Sequence, residues 1–245
     1  MKIQSFVFNW RNQLDSTLAI ESSLKHLIED VSVINSDESI KNKGWVNLRE
    51  DAYFSDQFSK ALELHDGKSH LLHIQGDVSY NNWDTLLSDA EYYINEYRAG
   101  IYYPKVLNTV WGNNNFALIN EISTEHDNIN LVTCGDETVW FIHPEIIKCF
   151  KDNGLDVCFL HNKYGWGWDI MFCAISYILG MPVIRDSNHV IDHKKSTNYN
   201  KNKAQVEYDL TRDLAPDNIK EYIKIASTAL DRSRILDYLK EKVVG

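Results

Sequence analysis

HLLHIQGDVS, residues 70–79, begins with an apolar segment that is followed by a glycine and an aspartate. This pattern is typical of a buried strand at the point where it leaves a sheet. Two apolar segments precede it, at 3–9 and 31–34, and helical patterns at 14–28 and 54–64 separate the three. This alternation of strands and helices predicts a parallel α/β sheet. Ligands bind such a sheet in the crevice beyond the carboxyl ends of its strands.

The residues that end these predicted strands are polar: Asn9, Asn35 with Ser36, and Asp77. They are therefore expected to lie in the ligand crevice. An aspartate at that position can hold a hard cation against phosphate oxygens. Aspartate and glycine are also common turn formers, so this motif alone leaves a purely structural role open.

The rest of the chain continues the mixed pattern. Apolar periodicity predicts helices at 83–97, 144–150 and 169–179, strands at 99–106, 130–134, 138–143 and 181–186, and helical structure from Pro216 onward. Turn-like residues occupy 111–115, and the polar segment 194–205 is expected to form a loop or lid. The helix at 169–179 is apolar nearly all round, so it must be buried.

The composition fits one large domain or one domain with a helical appendage. The 245 residues are 44% hydrophobic and 24% charged, which predicts a folded chain with a substantial core. We expect a main domain over 1–200 and a C-terminal helical extension over 201–245 packed on it. The net charge of −10 argues against nucleic acid as a partner. It does not argue against a nucleotide diphosphate, because one metal ion or helix N-terminus neutralises that ligand locally.

The sequence favours a cytoplasmic location. No apolar run approaches the ~18 residues that span a bilayer, and the short apolar stretch in residues 1–13 does not resemble the core of a signal peptide. The cysteines lack CxxC spacing and are expected to be reduced: Cys134, Cys149, Cys158 and Cys173.

YGWGWD, residues 164–169, is the second segment that can carry chemistry. Indole faces stack on sugar rings, and a carboxylate beside them can act as a general base. Trp166, Trp168 and Asp169 are therefore candidate site residues. The competing interpretation is that Asp169 only caps the following helix.

HVIDH, residues 189–193, follows the strand predicted at 181–186. Either His189 or His193 can serve as a metal ligand from the far side of the crevice. A histidine beside a strand is more often structural, so the spacing alone leaves both roles open.

Three segments resemble the motifs of the GT-A glycosyltransferase superfamily, both in their residue types and in their order along the chain: Gln75-Gly76-Asp77, residues 164–169 and His193. The resemblance covers residues 1–200, and the segment 132–146 is similar to the acceptor-side strand pair of bacterial surface-polysaccharide glycosyltransferases. It implies a Rossmann-like fold with a mostly parallel central sheet flanked by helices. Gln75 replaces the first acid of the D-x-D motif of that superfamily, which leaves a metal-independent enzyme open.

The resemblance also implies a role for each site residue. Asp77 and His193 would hold Mg²⁺ or Mn²⁺ on the diphosphate of a nucleotide-sugar donor, and Asp169 would deprotonate the acceptor hydroxyl with inversion at the sugar. Donor binding is assigned to Asn9, Asn35, Ser36, Gln75 and also Asp77. Acceptor binding is assigned to Trp166, Trp168, Asp136 and Glu137.

The expected partner on the acceptor side is a glycan or lipid-linked glycan, in the synthesis of lipopolysaccharide, capsule or a similar polysaccharide. The chain would work in the cytoplasm, with peripheral contact at the inner face of the membrane and with further modules of a multi-domain enzyme. Two alternatives stay open. One is a nucleotidyltransferase acting on sugar phosphates, and the other is a non-catalytic sugar-binding module.

Overall fold

The computed structural model describes residues 1–107, 121–193 and 199–227. Ten strands form one sheet in these ranges: β1 (Ile3–Asn9), β2 (Asp30–Asn35), β3 (Val46–Asn47), β4 (His70–Gln75), β5 (Val78–Ser79), β6 (Ile101–Leu107), β7 (Glu121–Ser123), β8 (Ile129–Val132), β9 (Val139–Ile142) and β10 (Val183–His193).

Helices flank this sheet on both faces. They are α1 (Leu14–Lys25), α2 (Phe54–Leu64), α3 (Trp83–Tyr97), α4 (Pro144–Asp152), α5 (Trp168–Ile178), α6 (Lys201–Leu214) and α7 (Asp217–Ser227), with a 3-10 helix at Leu155–Phe159. Proline at the first turn of α4 starts that helix as predicted, because its missing N–H costs nothing there.

The strand order is β3-β2-β1-β4-β9-β6-β10-β8-β7. The pairs β1–β2, β1–β4, β2–β3 and β6–β10 are parallel. Strand β9 runs antiparallel to both of its neighbours, β4 and β6, and so joins two parallel blocks that point the same way. The predicted α/β architecture with a central, mostly parallel sheet is confirmed.

Alternate residues of β1 enter the two hydrophobic layers that the helices cover. Phe6 and Phe8 pack in the layer that contains α2, α4, α5 and α7, and Val7 packs against α1 and α3 on the other face. This alternation follows from the two-residue period of a strand. Helix α5 is buried along its whole length, as its uniformly apolar sequence predicts.

Two sequence predictions differ from the structure. The strand predicted at 181–186 continues to His193, and residues 201–205 begin helix α6 instead of extending the polar loop. Asn200 explains that helix start, because its side chain accepts hydrogen bonds from the backbone of Asn202 and Lys203. The turn predicted at 111–115 and residues 194–198 lie outside the described part of the chain.

Helices α6 and α7 contribute to the same core as the sheet. Ile219, Tyr222 and Ile223 are buried in the layer that contains α5, and Tyr222 Oη donates to the carbonyl of Thr133. Burial of this kind ties α7 to the sheet by apolar contact as well as by hydrogen bonds. The division at residue 200 stays a prediction.

Two further expectations concern cysteines and membrane spans. The four cysteines are unpaired, and three of them are buried. Within the described ranges, no helix has the length and apolar character needed to cross a bilayer.

Candidate active site

The carboxyl ends of β1 and β2 are joined by a buried amide network. Asn9 Nδ2 donates to Asn35 Oδ1 at 2.6 Å, and Thr17 Oγ1 donates to Asn9 Oδ1 at 2.8 Å. Asn35 Nδ2 in turn donates to Asn47 Oδ1 at 2.9 Å and to two backbone carbonyls. Buried amides stabilise a fold when their donors and acceptors are paired in this way.

This network includes residues that were predicted to bind the donor. Asn9 and Asn35 are at most 1% exposed, and Ser36 is also buried, with its backbone N–H bonded to the carbonyl of Asn9. Their polar atoms hold the strand ends together, and contact of these residues with a nucleoside stays a prediction. The sequence placed them at the right edge of the sheet but could not show that they point inward.

The end of β4 is shaped by a glycine that approaches β1 closely. A Cβ atom at Gly76 would lie 2.4 Å from Thr17 Oγ1 and 2.5 Å from the carbonyl oxygen of Phe8, so a larger residue does not fit without a shift of the backbone. Gln75 before it is half-buried, and Asp77 after it is only 2% exposed.

Asp77 faces His193 across the end of the sheet. Its Oδ2 lies 3.2 Å from His193 Nε2, because β5 pairs with the end of β10 and sets Val78 opposite His193. Burial lowers the pKa of His193, but the hydrogen bond and charge of Asp77, with the charges of Asp136 and Asp192, outweigh it and raise that pKa overall. The two residues predicted to share a metal are thus brought together.

Both members of this pair keep one polar atom without a partner. Among the described residues, no hydrogen-bond partner reaches Asp77 Oδ1 or His193 Nδ1, although both atoms are buried. Unpaired buried polar atoms are costly and rare in native proteins. One carboxylate and one imidazole fit a divalent cation, which accepts oxygen and nitrogen ligands.

Asp136 lies near this pair, since its charge acts on His193, and the same charge acts on Glu137 and Asp169. Burial, reinforced by the charges of Asp169 and Asp136, raises the pKa of Glu137 well above its usual range. Burial also raises the pKa of Asp169 to about 7, against the hydrogen bond from the backbone N–H of Ile170. Because their charges act on each other, the two carboxyl groups titrate together, and burial favours the protonated form of both.

Asp169 does not cap helix α5. The capping position belongs to Gly167, and the helix begins at Trp168. The Asp169 side chain is 3% exposed, so it lies beneath the surface instead of projecting into an open cleft. Burial among other acids is what shifts its pKa toward neutrality, as a general base requires.

The two tryptophans of the 164–169 segment have different places. Trp166 is half-buried and its Nε1 donates to Tyr199 Oη at 2.7 Å; Tyr164 stacks on Tyr199 with ring centroids 4.9 Å apart. Trp168 is 1% exposed and stacks on Phe159 at 3.6 Å inside the core. Its indole contributes to the core, and its part in an acceptor platform stays a prediction.

The two glycines of this segment make room for aromatic rings. Gly165 and Gly167 have φ of 91° and 102°, values that glycine adopts readily and other residues rarely. A Cβ atom would lie 2.4 Å from Phe54 Cδ1 at the first and 2.7 Å from Tyr208 Cδ2 at the second. Both glycines therefore allow close packing against aromatic rings within the protein.

Tyr199 is a site residue that sequence reasoning missed. It lies in a segment interpreted as a polar loop, yet its ring and hydroxyl contact Tyr164 and Trp166. An isolated tyrosine among Lys and Asn gave no periodic signal. The half-buried group Tyr164, Trp166 and Tyr199 is here called the aromatic wall.

Comparison with known proteins rests on structure, since no family model and no curated protein matches the sequence. GalNAc-T7 with UDP, GalNAc and Mn²⁺ matches with a TM-score of 0.61 at 11% identity, over 99% of this chain and 54% of that chain. S. aureus TarS 1-349 in complex with UDP-GlcNAc matches with a TM-score of 0.53 at 14% identity, over 99% of this chain and 72% of that chain. The chain thus spans about half the length of the GalNAc-T7 structure. Its fold is that of the GT-A glycosyltransferases.

Proposed function

We propose that this chain is a glycosyltransferase that moves a sugar from a nucleotide-sugar donor to a hydroxyl of a glycan. The observation that carries the proposal is the Asp77–His193 pair at the carboxyl end of β4 in a GT-A fold. Each residue has one buried atom without a hydrogen-bond partner among the described residues. The similar structures of GalNAc-T7 and TarS hold UDP or UDP-GlcNAc, which supports a nucleotide-sugar as the donor class.

Asp77 and His193 are the residues that would hold a divalent cation, Mg²⁺ or Mn²⁺, against the donor diphosphate. A cation bound there neutralises charge that develops on the leaving nucleotide. Gln75, half-buried at the end of β4, stands where the superfamily has its first acid and has an amide that can bind a phosphate or ribose oxygen.

Asp169 is the proposed general base. It takes the proton of the acceptor hydroxyl, which attacks the donor sugar with inversion. Its pKa of about 7 leaves a substantial ionised fraction at neutral pH, while the raised pKa of Glu137 favours the protonated form of that group. Two carboxylic groups with separated pKa values are the arrangement by which one site supplies both a base and a hydrogen-bond donor. Asp136 and Glu137 are proposed to bond acceptor hydroxyls, and Trp166 of the aromatic wall to stack on the acceptor ring.

The proposed acceptor is a glycan or lipid-linked glycan, in the synthesis of a bacterial surface polysaccharide such as lipopolysaccharide or capsule. Association with further modules of a multi-domain enzyme stays a prediction from the sequence. Work in the cytoplasm or at the inner face of the membrane stays a prediction from the sequence.

The test is nucleotide release from a panel of nucleotide sugars, measured with and without Mn²⁺ and with mixed glycan acceptors. One donor should support turnover, and Asp77→Asn should reduce it by at least about 100-fold. Asn keeps a hydrogen bond to His193, so the melting temperature should change little. Asp152→Asn, which removes the same charge from an exposed position on α4, is the matched control and should retain turnover.

Each other result selects a different function. Binding of a nucleotide sugar without turnover by the wild type would indicate a sugar-binding module. Formation of nucleotide sugar from a sugar phosphate and a nucleoside triphosphate would indicate a nucleotidyltransferase. Equal turnover by Asp77→Asn and Asp152→Asn would remove Asp77 from the site.

A further inference from the structure

A second group of carboxylates and imidazole lies away from the candidate active site, on the α3 face of the sheet. It consists of Asp89 on α3 with Asp186 and His189 on β10, and one ligand atom from each lies within 4.8 Å of the others. We call it the α3–β10 cluster. The proposed transfer reaction uses none of these residues.

An irregularity in β10 places His189 in this cluster. Asp186 pairs with Pro104 of β6, but the next paired residue, opposite Lys105, is Val190. Ser187, Asn188 and His189 are therefore extra residues on β10, beside a proline that has no N–H to pair. Bulges of this kind re-aim a side chain, and here the imidazole turns toward α3.

The distances suit one ion between the three side chains. His189 Nε2 lies 2.8 Å from Asp89 Oδ2 and 3.8 Å from Asp186 Oδ2. Ligand atoms bound to Zn²⁺ at its usual bond lengths and tetrahedral angles are about 3.3 Å apart. Small side-chain rotations bring the observed separations to that value.

The outer contacts hold each ligand in place. Tyr80 Oη lies 2.6 Å from His189 Nδ1, and Tyr102 Oη donates to Asp186 Oδ2 at 2.7 Å. Asp186 Oδ1 accepts from the backbone N–H of Asn188. Metal-binding histidines and carboxylates have such second partners, which fix the ring and the lone pairs that face the ion.

The solvent access of the cluster and the acidic groups around it also suit a bound cation. Asp186 is fully buried and His189 nearly so, whereas the Asp89 side chain is 44% exposed and opens the cluster to solvent. The charges of Asp186, Asp89 and Asp84 all act on Tyr80, so the surroundings are acidic. A single proton on His189 Nε2 can be donated to one carboxylate at a time, whereas a dication binds both.

We propose that the α3–β10 cluster binds a divalent transition-metal ion, Zn²⁺ in the first place, through one oxygen of Asp89, one of Asp186 and Nε2 of His189. Three protein ligands of N and O type with one side open to water suit Zn²⁺. The bound ion ties α3 to β10 four residues before His193. This site is separate from the cation proposed at Asp77.

The test is calorimetric titration of the full chain with ZnCl₂, after treatment with a chelator and its removal. Asp89→Asn is the chosen variant, because this residue is half exposed and Asn retains a hydrogen bond to His189. We expect it to weaken the tightest Zn²⁺ site by at least about 10-fold. Asp84→Asn removes the same charge from an exposed position on the same helix and should leave the affinity within about 3-fold, since surface charges act weakly.

Two more variants separate this site from other places where Zn²⁺ can bind. Asp77→Asn and Glu125→Gln, the latter in the exposed Glu96–Glu125–His126 group, should leave the tightest site intact. The proposal is overturned if Asp89→Asn and Asp84→Asn bind Zn²⁺ equally, if either other variant abolishes the tightest site, or if the wild type binds no Zn²⁺. None of these results depends on glycosyl transfer, so the metal site and the proposed function fail separately.

Discussion

The two histidines of β10 each face carboxylates, but their surroundings differ. His193 pairs with Asp77 at the end of the sheet, where Nδ1 and Oδ1 are buried and unpaired among the described residues. His189, four residues earlier, has Tyr80 on one ring nitrogen and Asp89 on the other. Tyrosine hydroxyls and a backbone N–H complete the polar contacts of the second group.

The two proposals give these groups different partners. A buried polar atom without a partner costs stability, and it persists where a ligand or ion supplies the partner during function. In the α3–β10 cluster the outer polar atoms are bonded within the protein, so that only the inner oxygen and nitrogen atoms are left to face an ion. We therefore expect changes at the His193 pair to act on transfer, and changes at the cluster to act on stability and metal binding.

The largest effect on transfer is expected at Asp169, one of the carboxylates of the candidate active site. Asp169→Asn should reduce transfer by about 100- to 10,000-fold, because an amide cannot accept the proton of the acceptor hydroxyl. Glu137→Gln should cost much less, since burial raises the pKa of Glu137 and an amide resembles the protonated carboxyl group. Initial rates for both variants at saturating donor measure the difference. A smaller loss for Asp169→Asn than for Glu137→Gln would move the base to Glu137.

The same variant has a second signature in stability. The folded-state pKa of Asp169 is about 7, raised by burial from 3.8. Between about pH 4 and pH 7 the native state therefore holds a proton that the unfolded state has lost, and stability falls as the pH rises through this window. Urea unfolding should show that Asp169→Asn has a flatter pH dependence there, because Asn does not titrate. Parallel curves for the two proteins would place the carboxylate in water.

Exchange of each histidine for glutamine tests the comparison directly. His193→Gln should reduce transfer by at least about 100-fold with little change in melting temperature, because its partner Asp77 keeps a donor. His189→Gln should act mainly on folding, by about 1–3 kcal/mol in the free energy of unfolding, since Asp186 is fully buried. Urea unfolding and initial rates measure the two effects. The reverse pattern, with transfer lost at His189 and stability lost at His193, would exchange the two assignments.

The smallest effect is expected at the edge of the α3–β10 cluster. Tyr80→Phe removes the hydroxyl that contacts His189 Nδ1 and should lower the free energy of unfolding by about 1 kcal/mol, with transfer unchanged. Tyr92→Phe, at a half-exposed position on α3, is the matched control. A loss of transfer in Tyr80→Phe at unchanged stability would connect the cluster to the reaction.

The alternation of strands and helices at 3–75, the buried helix α5 and the polar strand ends were all readable from the sequence. Local periodicity determines them, because each element must bury one face whatever its neighbours are. The pairing of Asp77 with His193 was also expected, but only through the resemblance, since residues so far apart in the chain meet by strand order alone.

Only the tertiary structure decided which way the candidate side chains point. Asn9, Asn35 and Trp168 occupy the predicted edge and segment, yet they are buried, because side chains from distant segments supply their hydrogen-bond and ring partners. Trp166 is two residues from Trp168 and remains half-buried beside Tyr199. The α3–β10 cluster likewise depends on a three-residue irregularity in strand pairing. The sequence determined residue type and element, whereas burial and partner choice are set by contacts between distant segments, which no local pattern encodes.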